Sequence, residues 1–182
     1  ELQKQFILIN NTKPLPKALI YELLPIVNGL PTRMSSRSNA AALTEFLNYR
    51  EDSSLKGLIY QQTNPYGIIR DTSIQKIIMN SLSDGALRLL YRESNFNEKA
   101  VRLISNFFKA VQITFETDWK NHTPKTSRLV HSAGIVSMGY VMETLFAIYQ
   151  SDRVEDFEKG LDHLKNKTAW TDGVWMFGPD DN

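Results

Sequence analysis

Ser127-Arg128-Leu129-Val130-His131-Ser132-Ala133-Gly134-Ile135-Val136-Ser137-Met138-Gly139-Tyr140-Val141-Met142-Glu143-Thr144-Leu145-Phe146-Ala147-Ile148-Tyr149 is the stretch on which the fold turns. From Leu129 to Tyr149 its only formal charge is Glu143. An apolar run of this length is either a membrane span or a helix enclosed by other elements. Ser132, Ser137, Glu143 and Thr144 lower its apolar content, and neither aromatic belts nor a basic flank frame it. The expectation is therefore a long core helix over about 127–149, with no membrane involved. Gly134 and Gly139 predict close backbone approach to a neighbour.

The flanking sequence supplies other helices to pack on it. Ala100, Leu103, Ile104, Phe107, Phe108, Val111 and Phe115 form a wide apolar stripe over 96–119, with Trp119 closing it. Val154, Phe157, Leu161 and Leu164 predict a helix over 153–165. Ala42, Leu43, Phe46 and Leu47 predict one over 39–50. Thr72 or Ser73 is expected to cap a helix carrying Ile74, Ile77, Ile78 and Leu82. Asp84-Gly85 breaks that helix, and Ala86 to Tyr91 forms a short one. Leu58-Ile59-Tyr60 and Gly67-Ile68-Ile69 flank Thr63-Asn64-Pro65-Tyr66, which reads as a hairpin or a pair of short extended arms within 55–70. Residues 28–38, with Gly29, Pro31, Arg33 and Arg37, read as the clearest loop. Before it, Leu19, Ile20, Leu23 and Leu24 give a helix between Pro16 and Pro25. Residues 1–10 read as helix, with a short buried strand at Phe6–Ile9 as the competing reading. The tail, with Trp170, Val174, Trp175, Met176 and Phe177, carries more apolar surface than water tolerates, so it docks on the core or on a partner. The fold class expected is mainly α: a helical bundle around a long buried central helix, with a small extended segment near 55–70.

Composition bounds the function. A chain of 182 residues suits one domain with its own core. With no cysteine, disulfides and thiolate zinc sites are excluded. Basic and acidic residues number 21 and 20, so the chain is not a uniformly basic nucleic-acid binder. It starts at Glu1, in what reads as the interior of an element, without a signal-peptide pattern. We therefore expect a cytoplasmic fragment of a longer chain.

No catalytic constellation emerges. His122, His131 and His163 have no second ligand at a metal spacing. Asp71 reads as part of a helix cap, Ser83-Asp84-Gly85 as a helix stop, and Glu116 and Asp118 as a solvated edge. There is no glycine-rich phosphate loop, and no cofactor is expected. The cations are more informative. Lys13 and Lys17 flank a turn, Arg33 and Arg37 lie in the expected loop, and Arg70 precedes a helix. Lys120, Lys125 and Arg128 surround the start of the long helix, and His131 sits at its N-terminal end. Phosphate contacts commonly come from such residues in loops and at helix N-termini. An ordinary solvated surface, with His131 as a cap, is the alternative reading of the same residues.

Three stretches carry a resemblance: Gln5-Phe6-Ile7-Leu8-Ile9-Asn10-Asn11-Thr12-Lys13-Pro14-Leu15-Pro16-Lys17, then Asn80 to Leu87, then Ser127 to Gly139. Together they resemble the helical C-terminal region of the DGQHR-domain family. In that family the helical region follows a ParB/sulfiredoxin-like N-terminal domain bearing an Asp-Gly-Gln-His-Arg signature, and its members serve DNA phosphorothioation and deazapurine DNA-modification systems. The resemblance implies DNA-associated work in the modification or restriction of foreign DNA. The signature itself is missing from this sequence, so it is expected upstream of Glu1 and none of its residues transfers. On this reading Asn10, Asn11, Thr12 and Lys13 form a functional polar turn, and Lys17, Arg33, Arg37, Arg70, Lys125, Arg128 and His131 join them as DNA-contact residues. Expected partners are DNA and other proteins of the same system, with self-association open. Two other readings stand beside it: a protein-interaction domain without DNA contact, and part of a nucleotide-hydrolysing or nuclease-like enzyme whose site lies mainly upstream.

Overall fold

The computed structural model describes residues 32–173, and the described part is mainly helical. It runs α1 (Thr32–Tyr49), β1 (Ile59–Tyr60), β2 (Ile69–Arg70), α2 (Asp71–Asp84), α3 (Ala86–Leu90), α4 (Phe96–Thr114), α5 (Glu116–Trp119), α6 (Ser132–Tyr149) and α7 (Val154–Asp162). The readings of 1–31 and of Val174–Phe177 fall outside the described residues.

Helix α4 is enclosed along most of its length. It packs on α1, α3, α5 and α7. Leu103, Ile104, Phe107, Phe108, Ala110 and Val111 are fully enclosed, so its stripe wraps most of the helix. The Phe107 ring meets Phe108 and Phe157 edge-on, with centroids 5.4 and 5.3 Å away. Such pairs stabilise beyond their buried area. At Phe115 the backbone leaves the helical region (φ −118°, ψ 45°), which splits the helix expected over 96–119 into α4 and α5.

The long apolar helix is shorter and less enclosed than its sequence suggests. It starts at Ser132, and a third of it is buried. Its inward side is Gly134, Ile135, Met138, Gly139, Met142 and Leu145, packed on α2, α3 and α7. By length and composition alone it is apolar enough to cross a membrane. The two glycines act as their spacing predicts. A Cβ on Gly134 would lie 1.9 Å from the Arg128 carbonyl oxygen, and one on Gly139 would lie 2.6 Å from Ile77 Cγ1.

One further expectation is corrected. Arg33 and Arg37 stand within α1, because that helix already begins at Thr32, so the loop reading fails from there onward. Of the two readings of 55–70, the pair of short extended arms holds and the hairpin does not: the strands pair in parallel, Ile59 with Ile69 and Tyr60 with Arg70. The reason lies in side-chain amides. Buried Asn48 donates to the Ile59 carbonyl (2.9 Å) and accepts from the Ile59 N–H (3.1 Å). Asn64 donates to the carbonyls of Gly57 (3.0 Å) and Ile59 (2.9 Å). These bonds take up backbone groups that a hairpin ladder would have used. Helix α2 begins one residue before its expected cap. The Asp71 carboxylate accepts from the Thr72 N–H (2.6 Å) and the Gln75 amide (3.3 Å) and stands in the first turn, where a carboxylate favours the positive end of the helix dipole.

Candidate functional site

Two of the stretches that carry the resemblance meet in space. On α2, Ile77, Asn80, Ser83 and Asp84 recur at helical spacing and share a face. On α6, Val136, Gly139, Tyr140 and Glu143 do the same. Gly139 has no side chain, so α6 comes down onto Ile77, and the two faces enclose a groove of about 350 Å³. The Asn80 amide donates to the Tyr140 hydroxyl (3.2 Å) and bridges the groove.

Glu143 explains why α6 keeps one charge. Its Oε2 accepts the backbone N–H of Ala86 at 2.7 Å, at the start of α3. A carboxylate there satisfies a helix-terminal donor and favours the positive end of the helix dipole. Gly85 is what makes room: a Cβ at that position would sit 2.4 Å from Oε2. Ser81 reinforces the same break by accepting the Leu87 N–H (3.0 Å). The run Ser83-Asp84-Gly85 is thus a helix stop, as its sequence predicts, and Ser83 and Asp84 also form one rim of the groove. Glu143 Oε1 is buried and has no hydrogen-bond partner among the described residues. The groove presents acceptors, a hydroxyl and an amide over an apolar floor, and no histidine, lysine or arginine lines it. That composition suits binding.

The basic positions divide among three places. Lys125, Arg128 and His131 share the turn before α6. Buried Ser127 accepts the Leu129 N–H (3.2 Å), and His131 Nδ1 accepts the Ala133 N–H (3.1 Å) as the N-cap of α6. The Arg128 N–H donates to the Trp170 carbonyl (2.7 Å), which ties this turn to the C-terminal segment. Arg70 is exposed at the junction of β2 and α2, and β2 packs against α6. Arg37 is half-buried on α1, where Arg33 also lies. Asn10, Asn11, Thr12, Lys13 and Lys17 are outside the described residues. His163 is exposed at the end of α7. Among the described residues no three His, Asp or Glu side chains gather as a metal site.

Asn80, Tyr140 and Glu143 were not candidates from sequence. A signal existed for one of them: a lone carboxylate in an apolar helix needs a donor, and the donor proved to be the backbone of another helix. Comparison with family models, curated proteins and solved structures finds no match for this chain.

Proposed function

We propose that this chain is a DNA-associated helical domain of the DGQHR type, working in a DNA-modification or restriction system. What supports the reading is that Asn80, Ser83 and Asp84 of one stretch that carries the resemblance line one groove with Val136 and Gly139 of another. On this reading the duplex backbone lies along the start of α6. Lys125, Arg128 and His131 reach it there, Arg70 and Arg37 extend the contact, and the resemblance adds Arg33, Asn10, Asn11, Thr12, Lys13 and Lys17 as DNA-contact residues. Lys125 and Arg70 are exposed and form no ion pair among the described residues, whereas Arg50, Arg88, Arg102 and Lys159 are all paired with carboxylates.

The test is duplex affinity measured across a salt series. Binding should weaken with a log–log slope of about −0.9 per phosphate contact, and Arg70→Ala with Lys125→Ala should flatten it by roughly two contacts. No binding at low salt, or binding without a salt slope, overturns the proposal.

One observation favours a second reading, a protein-interaction domain. The outward side of α6 carries Ala133, Ser137, Tyr140, Thr144, Ala147 and Ile148, with Tyr140 57 % and Ile148 64 % exposed and no charge among them. A helix apolar on all sides is normally covered. Failure of the salt series together with concentration-dependent self-association in sedimentation would favour that reading.

A further inference from the structure

The groove between α2 and α6 keeps its polar groups within reach of solvent. Asn80, Ser83 and Asp84 line it from α2, and all three are exposed. Their spacing of three and four residues puts them on one helix face. Tyr140 lines it from α6 and is more than half exposed. Its hydroxyl accepts the Asn80 amide (3.2 Å), which pins the ring by its polar end and leaves ring surface open. Ile77 and Val136 supply apolar walls, and Gly139 leaves the floor without a side chain. A pinned aromatic ring beside an apolar floor suits the stacking of a flat ring. The volume, about 350 Å³, lies within the usual range of ligand sites.

The rim decides what kind of ring. The Asp84 side chain is 93 % exposed and offers two acceptor oxygens. It pairs with Arg88 at 3.3 Å, an exposed contact that costs little to displace. The Asn80 carbonyl and the Ser83 hydroxyl add acceptors, while Glu143 is engaged with the Ala86 N–H. No cation lines the groove, so a phosphate or carboxylate is disfavoured there. A flat, neutral group that donates along one edge fits. Guanine has that edge: its N1–H and N2–H lie side by side, and one carboxylate accepts both. Adenine, cytosine and thymine place an acceptor beside each donor on the same edge, and a carboxylate repels it.

The groove also lies close to the basic turn. Gly134 packs on the Arg128 carbonyl, and Val136 stands five residues after His131, about 8 Å along the helix axis. A strand with its phosphates on Lys125 and Arg128 brings an unstacked base to this groove. We infer that the groove binds an unstacked guanine, either extruded from DNA or carried by a free nucleoside. The first source rests on the DNA reading and the second does not.

The test titrates the full chain with 2′-deoxyguanosine, 2′-deoxyinosine and 2′-deoxyadenosine, following the Asn80 side-chain amide by nitrogen-edited NMR. Deoxyguanosine should give a saturable shift. Deoxyinosine, which lacks the N2 amine, should bind about tenfold more weakly, the loss of roughly one hydrogen bond. Asp84→Asn turns one acceptor into a donor at an exposed helix end, and thermal melting checks its fold. It should weaken deoxyguanosine about tenfold and leave the salt slope of duplex binding unchanged. Tyr140→Leu, which removes the ring, should weaken it as well, read by saturation transfer to the nucleoside. A duplex with guanine opposite an abasic site, compared with the fully paired duplex, assigns the source: tighter binding of the former marks an extruded base, and equal binding a free nucleoside. The nucleoside titration tests the groove and the salt series tests the backbone contact, so either can fail alone. Equal binding of deoxyadenosine and deoxyguanosine, the absence of saturation, or equal binding by Asp84→Asn and the unaltered chain overturns the inference.

Discussion

Asn48 shows how one side chain decides a local fold. It sits in α1, 1 % exposed, and its amide serves Ile59 through both the carbonyl and the N–H while also donating to Gln61 Oε1 at 2.7 Å. Its own carbonyl accepts the Gly57 N–H (2.9 Å). The segment 57–64 therefore closes on an amide and not on a strand. Asn48→Ala would leave the enclosed Ile59 N–H without a partner, at a cost of about 2–3 kcal/mol. Urea unfolding should show the midpoint falling by that amount divided by the m-value, with the m-value unchanged. A loss below about 0.5 kcal/mol would mean that water reaches Ile59 and that the amide is dispensable.

At the scale of elements, α6 separates two kinds of close approach. Gly134 faces backbone, with the Arg128 oxygen 1.9 Å and the Leu129 oxygen 2.7 Å from where a Cβ would stand. Gly139 faces the Ile77 side chain, which can change rotamer. Gly134→Ala must therefore move the turn that holds Lys125, Arg128 and His131, whereas Gly139→Ala need only repack the groove floor. Overpacking of this sort costs about 1–3 kcal/mol, and we expect Gly134→Ala at or beyond the upper end and Gly139→Ala near the lower. Thermal melts of the two variants give the ranking, and the reverse order would refute the account of the turn. His131 and Ser127 belong to this scale too. Their capping bonds begin α6 at Ser132 and not at Ser127.

Across the whole molecule, ion pairs join what the core leaves open. Arg50, just after α1, bonds Asp52 (2.9 Å) and reaches Glu98 in the first turn of α4 (2.7 Å). The hydrogen bonds from its guanidinium hold both carboxyls below the usual carboxylate range, and the two carboxylates raise the arginine in turn. Asp156, at the start of α7, is lowered by the Ser151 hydroxyl and then by Lys159. The sign follows from linkage: a carboxyl depressed in the folded state adds stability that is present above its unfolded value and lost as pH falls through the folded one. Arg50→Gln should therefore melt lower than the unaltered chain at neutral pH. The gap should close as pH drops below about 4, where unfolded carboxyls take up protons. A gap that stays constant down to pH ~2 would place the effect of Arg50 in packing instead of charge.

The sequence by itself determined the helices, most of their inward faces and the helix stop at Asp84-Gly85, because apolar spacing and backbone-breaking residues act locally. It also marked Gly134 and Gly139 as contact points and placed His131 at a helix start. Only the tertiary structure decided which helix occupies the centre. Phe107 and Phe108 are fully enclosed on α4, while α6 leaves Tyr140 and Ile148 exposed on its outward side, and apolar composition cannot tell which neighbour will cover a face. The parallel pairing at Ile59 and Ile69, the start of α1 at Thr32 and the partnership of Glu143 with Ala86 were likewise beyond local reading. Each depends on a partner distant in sequence, and a hydrogen bond or contact of that kind leaves no periodic trace in the chain.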